Sequence, residues 1–217
     1  MGSVLATFLL IQFITAPLLP LFDEHQKPLL QLISTLIIYG GTLGAIVLIN
    51  RMRGGTWASA YGMGHQQQRT LVLAPVLYLT FIPVFLVISG AYHLLLEQIF
   101  GLELEMQDAA KLILQESSWM KLAFILLAVA GAPLYEEILF RGLLFPFLAQ
   151  RTGTPVAILL VSLLFALLHF HLASFVPLGL LSAVLCLVYW RTGSLWPCIG
   201  LHAIFNAVSI LVLSITG

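Results

Sequence analysis

Long apolar runs separated by short polar stretches set the architecture of this chain. Runs long enough to cross a hydrocarbon core of ~30 Å, which takes about 20 helical residues, lie at about 3 to 21, 29 to 49, 71 to 95, 119 to 149, 155 to 172, 174 to 190 and 195 to 215. They predict seven transmembrane helices in an all-α polytopic bundle. No internal repeat, low-complexity tract or hydrophilic stretch long enough for a soluble domain is visible, so residues 1–217 read as a single integral membrane domain.

The run from 119 to 149 is too long for one straight crossing and too short for two. Gly131-Ala132-Pro133 lies in its middle, and proline, lacking a backbone donor, breaks or kinks a helix interior but suits a first turn. The expectation is a helix broken near Gly131-Pro133 that restarts over Leu134 to Phe145. In lipid, interrupted backbone is tolerated only beside protein or a water-filled cavity. The first run lacks a basic leader, and Ala16-Pro17 is a poor cleavage context, so it reads as a retained span. Residues 51 to 70 form a connector whose Trp57 and Tyr61 suit a membrane interface. Residues 97 to 118 are polar with interspersed leucines and predict an amphipathic helix on the outer surface.

Composition agrees with this reading. The chain is 60% hydrophobic and 8% charged, against roughly 45–50% apolar and about 25% charged in soluble domains. With seven spans, Arg51, Arg53, Arg69, Arg151 and Arg191 share one side with no acid among them, while Lys27, Lys111, Lys121 and the loop acids share the other. The positive-inside rule makes the arginine side cytoplasmic, with the N-terminus inside and the C-terminus outside. The expected location is the plasma membrane of a bacterium. Cys186 and Cys198 lack metal-type spacing and read as small buried hydrophobes.

Against this background, Glu136, Glu137 and Arg141 stand out. Ionisable groups within a bilayer cost several kcal/mol and mark functional sites. Residues four apart share a helix face, so Glu137 and Arg141 are predicted to pair as structural support while Glu136 points elsewhere as the free carboxylate. The next helix carries Phe165 and His169 on one face, an imidazole beside an aromatic wall, with His171 on another. The last helix carries His202 and Asn206, again four apart. That pair could hydrogen-bond a developing oxyanion, or the histidine could bind a metal with the amide orienting it. Each of these polar groups could also serve as interhelical glue.

Glu136-Glu137-x-x-x-Arg141, Phe165-x-x-x-His169 and His202-x-x-x-Asn206, in that order on successive apolar helices, resemble the motifs of the CPBP family of intramembrane proteases. That family, also called ABI, includes the type II CAAX prenyl endopeptidases and bacterial relatives linked to bacteriocin self-immunity. The resemblance covers residues 119 to 210, which it marks as a catalytic helical core. It implies an intramembrane endopeptidase in which Glu136 and His169 activate water for attack on a peptide carbonyl. His202 and Asn206 would steady the oxyanion, while Glu137, Arg141 and Phe165 support the site.

Glu136, His169 and His202 would also make the His₂Glu ligand set of a catalytic zinc. The chain has no His-Glu-x-x-His pattern, and direct action of glutamate and histidine on water explains His202 and Asn206 equally well. The cofactor expectation is therefore none, or a single zinc ion. Expected partners are the lipid bilayer and a peptide or protein substrate, lipidated or not, and no nucleic acid. The site is expected to open toward the cytoplasm, with about ten residues between Glu136 and the arginine-rich boundary. Two other readings fit intramembrane Glu, Arg and His: a transporter or channel, and a non-catalytic immunity-type membrane protein.

Overall fold

The computed structural model describes residues 23, 26–52, 54–56, 61–102, 111, 113, 114, 116 and 118–216. Among them the chain forms six helices and no strand. They are α1 (Lys27–Met52), α2 (Leu73–Gln98), α3 (five joined segments from Ser118 to Thr152), α4 (Thr154–Leu167), α5 (Leu172–Thr192) and α6 (Trp196–Thr216). Two short turns, His65–Gln68 and Arg69–Val72, lead into α2. Five of the six helices are long and apolar enough to cross a membrane, and the protein is an integral multi-pass membrane protein. The span expected at 3 to 21 and Trp57 lie outside the described residues. So does most of the amphipathic helix expected within 97 to 118, of which Ile113 is buried beside Leu32, Met120 and Phe124.

Glycines set the tight reversals. Gly153, at φ +83°, ends α3, and Pro155 sits in the first turn of α4; the left-handed Gly193, at φ +61°, caps α5 by donating to the Tyr189 carbonyl. A left-handed residue just past a helix end and a proline just inside the next are the favoured signals at these places. They fold α3 back on α4 and α5 back on α6. The arginine end is tied together by Thr70 Oγ1 donating to Ser194 Oγ at 3.0 Å. At the opposite end Tyr92 donates to the Leu172 carbonyl at 2.9 Å, and His93 Nε2 lies 3.0 Å from the Ala173 carbonyl.

Two expectations need correction. The helix does not break at Gly131-Pro133: Gly131 is helical (φ −65°, ψ −53°), and Trp119–Thr152 is continuous over 34 residues. Instead, the chain widens into π-helical turns at Leu127–Gly131 and Ile138–Leu144. In the first of these Ala132 N–H bonds the Leu127 carbonyl, five residues back. The Ala128 carbonyl would then need the N–H of residue 133, which proline lacks. Asn206 Nδ2 supplies the missing donor at 2.8 Å. The helix survives because a side chain of α6 replaces the donor that proline removes.

The run at 155 to 172 is likewise not one full crossing. Helix α4 has 14 residues, roughly 21 Å at 1.5 Å per residue, and ends where His169 substitutes its ring for its backbone. His169 Nδ1 lies 2.7 Å from the Phe165 carbonyl, which an uninterrupted α-helix would bond to the His169 N–H; that N–H turns to the Ala166 carbonyl instead. Phe170 follows in the left-handed region (φ +48°), 90% exposed, and α5 starts two residues later.

Candidate active site

The site is built from α3, the C-terminal end of α4, and α6. At its base, Glu137 and Arg141 are one helical turn apart and fully buried, with Arg141 Nη1 donating to Glu137 Oε1 at 2.9 Å. Arg141 Nη2 also donates to Ser182 Oγ at 2.7 Å and to the Ser182 carbonyl at 3.2 Å, which fastens α3 to α5. Such a buried pair holds only if its remaining hydrogen-bonding capacity is met, and Ser182 meets part of it. Nothing in the sequence marked it out from Ser174 of the same helix.

The same Glu137 oxygen holds His202, whose Nδ1 lies 2.8 Å away. Against a carboxylate already accepting from arginine, Nδ1 is the protonated nitrogen of the imidazole. The other nitrogen, Nε2, faces Glu136, 3.8 Å from its Oε2. The two neighbouring acids are thus divided in the manner of the helix-face argument: Glu137 is sealed in, while the Glu136 side chain keeps 18% exposure. His169 is set in the same way, its Nδ1 committed to the Phe165 carbonyl. Both histidines therefore have their Nε2 atoms left for chemistry.

Phe165 is the fully buried pivot between these groups. Its ring lies 4.8 Å from that of His169, 6.0 Å from that of His202 and 5.0 Å from the Arg141 guanidinium. Phe140 of α3, which drew no notice in the sequence, meets Phe165 edge-on at 5.0 Å. An aromatic wall of this kind fixes ring orientations and holds water away from the Glu137–Arg141 pair.

Above this base a cavity of about 780 Å³ is lined by Glu136, His169, His202 and Asn206 together, with Tyr39 of α1 beside them. Asn206 spends one amide hydrogen on Ala128. His171, on another face of the chain, lines the same cavity and has its Nδ1 2.8 Å from Ser174 Oγ. The cavity extends toward Gln31, His93, Ser174 and Leu213, the helix ends remote from Arg51, Arg69, Arg151 and Arg191. It does not run toward the arginine end as the sequence led one to expect. Glu136 sits near the middle of a continuous 34-residue helix, so its distance to the arginine boundary carried no information about direction.

Residues 118–208, a little under half of the chain, match the family model described as type II CAAX prenyl endopeptidase Rce1-like. Over these residues the chain is similar to the Rce1-like family. No curated protein and no solved structure matches the chain. The Rce1-like stretch runs from the start of α3 into α6 and contains Glu136, Glu137, Arg141, Phe165, His169, His202 and Asn206. It thereby supports placing the chain among CAAX-type intramembrane proteases. Helices α1 and α2 lie outside it, yet Thr35, Tyr39, Ser89 and His93 line the cavity. As for the metal, no three His, Cys, Asp or Glu side chains are grouped to hold an ion among the described residues. Each histidine spends Nδ1 on an oxygen of the protein and keeps Nε2, which is also how a metal-bound imidazole is held, so these hydrogen bonds suit a water-activating pair and a zinc ligand set alike.

Proposed function

We propose that the protein is an intramembrane endopeptidase that hydrolyses a peptide bond with a water molecule activated by Glu136. The observation that carries this reading is Glu136 facing His202 Nε2 across 3.8 Å inside the cavity. That gap is too wide for a direct hydrogen bond and suits a bridging water. Glu136 takes one proton of this water as its oxygen attacks the carbonyl carbon, and His169, with its Nε2 free, completes the cradle that orients it. General-base assistance of this kind contributes typically about 10²–10⁴-fold.

His202 has a second role fixed by Glu137. A carboxylate that accepts from Nδ1–H fixes the ring, with Nε2 turned to the cavity. When Nε2 carries a proton it donates to the tetrahedral oxyanion, and the proton held by Glu136 passes to the leaving nitrogen as the C–N bond breaks. The products are a carboxylic acid and an amine, with one water consumed. Asn206, with a second amide hydrogen, stands beside this oxygen as a further donor.

The test is cleavage of a membrane-associated peptide, lipidated or not, by the purified protein in liposomes, comparing wild type with Glu136→Gln. Glutamine keeps the shape and loses the base, so turnover should fall at least 100-fold with the fold intact. Equal turnover in the variant would end the mechanism. Ion or solute flux through the same liposomes, without cleavage, would favour a transporter.

A further inference from the structure

We propose that Tyr39, contributed by α1 from outside the Rce1-like stretch, is a positioning residue of the site: its hydroxyl donates, through water, to the carboxylate of Glu136 and holds that side chain toward His202. Its part in catalysis rests on the hydrolase reading; the contact between the two side chains does not.

Three observations carry it. First, Tyr39 stands at mid-length in α1 with its ring laid flat on that of Tyr135, the centroids 3.9 Å and the planes 12° apart. Tyr135 is 2% exposed and immediately precedes Glu136 in α3. The stack therefore fixes the Tyr39 ring beside the acid from the α1 side, while His202 approaches the same acid from α6. Second, Tyr39, Glu136 and His202 line one cavity, in which Glu136 is the only carboxylate among the described residues. The charge of Glu136 is close enough to act on both stacked phenols. Third, the Tyr39 hydroxyl meets no hydrogen-bond partner among the described residues. Thr35, one turn away on the same face of α1, is instead spent on its own helix, its Oγ1 donating to the Gln31 carbonyl at 2.8 Å. A phenol enclosed in a helix bundle takes a partner, and a carboxylate is the stronger acceptor on offer.

The contact also meets a need of the acid. A carboxylate in low-dielectric surroundings is held by donors that answer its charge. Glu137 has Arg141 and His202 for this. Glu136 has His202 Nε2 facing one oxygen at 3.8 Å, and Tyr39 supplies a donor on the other side. Held from both sides, the carboxylate keeps one rotamer toward the water it deprotonates, which is the preorganisation a general base requires.

Tyr39→Phe is the variant that tests this, because it keeps the ring and its stack and removes only the hydroxyl. With the membrane-associated peptide in liposomes, it should lower kcat about tenfold and leave KM within about twofold. Tyr39→Leu, which loses the stack as well, should be no faster. Wild-type kcat in Tyr39→Phe would make Tyr39 a packing residue and overturn the proposal. So would a raised KM at unchanged kcat, the mark of a group that binds substrate instead. A double-mutant cycle of unfolding equilibria in detergent, Tyr39→Phe with Glu136→Gln, reads the contact without any cleavage. Removing the hydroxyl should shift the unfolding constant at least about threefold more beside Glu136 than beside glutamine; equal shifts overturn the contact. Coupling in this cycle without cleavage by the wild type refutes the hydrolase and leaves the contact standing, whereas cleavage with additive unfolding shifts does the reverse.

Discussion

The Nδ1 of His202 lies 2.8 Å from Oε1 of Glu137, so the acid that orients the last-helix histidine is the buried one of the doublet, and its neighbour is left to the cavity. Glu137 is thus tied to both stability and chemistry. Replacing it with alanine strands a fully buried Arg141 and should cost about 3–5 kcal/mol, read as a lower unfolding midpoint in detergent. Glu137→Gln keeps a hydrogen-bond acceptor for both partners but removes the negative charge beside His202. It should retain most of the stability and lose turnover about 100-fold. A glutamine variant with wild-type turnover would show that the charge of Glu137 plays no part in the reaction.

Asn206 and Pro133 are coupled through the Ala128 carbonyl. Asn206→Ala leaves that buried acceptor unmet, at a cost of about 1–3 kcal/mol. Pro133→Ala supplies a backbone N–H five residues beyond Ala128, in reach of the same carbonyl in the π-turn. In a double-mutant cycle, Asn206→Ala should therefore be milder in the Pro133→Ala background than alone. Strict additivity of the two unfolding shifts would rule out this patch. If the double variant recovers stability but not cleavage, Asn206 also contributes to the oxyanion.

The same pair shows what was legible in the sequence and what was not. Helix periodicity alone paired Glu137 with Arg141 and turned Glu136 away, because a four-residue spacing fixes a face whatever surrounds it. The apolar runs located all six described helices for a similar reason. What failed were effects that need a second element: Pro133 looked like a break because its replacement donor sits 73 positions later in the chain. The run at 155 to 172 looked like a crossing because leucine content does not reveal that His169 would spend its ring on a backbone carbonyl. Ser182 and Phe140 carried no signal at all, since one serine or one phenylalanine in an apolar helix is indistinguishable from lipid-facing filler until its partner is known.

Gly200 reports on how closely α6 must approach α2 to bring His202 into place. A Cβ there would lie 2.6 Å from Leu71 Cδ1 and 2.7 Å from Ala74 Cβ. The leucine tip can swing aside, but Ala74 Cβ is fixed to the helix backbone. Gly200→Ala should therefore push the two helices apart and lower stability by about 1–3 kcal/mol. Because His202 is half a turn further along, turnover should fall more than a stability loss alone explains. The check is turnover measured well below the unfolding transition, where Gly200→Ala at full wild-type turnover would mean that this contact does not position the histidine.

Phe165 offers the sharpest separation of positioning from chemistry. It touches no reacting atom in the proposed mechanism, yet its ring is in aromatic contact with both imidazoles and lies against the Arg141 guanidinium. Phe165→Leu removes the ring faces and leaves a space that neighbours fill only in part. The expected loss is about 1–3 kcal/mol of stability, together with a fall in kcat of about tenfold as both histidines gain rotational freedom. KM should change little, because Phe165 is fully buried and does not line the cavity. Phe165→Tyr, which preserves the ring but must bury a hydroxyl, should keep the turnover of whatever fraction folds. A leucine variant that loses stability without losing kcat would reduce Phe165 to a packing residue and leave the His169 and His202 geometries to their hydrogen bonds alone.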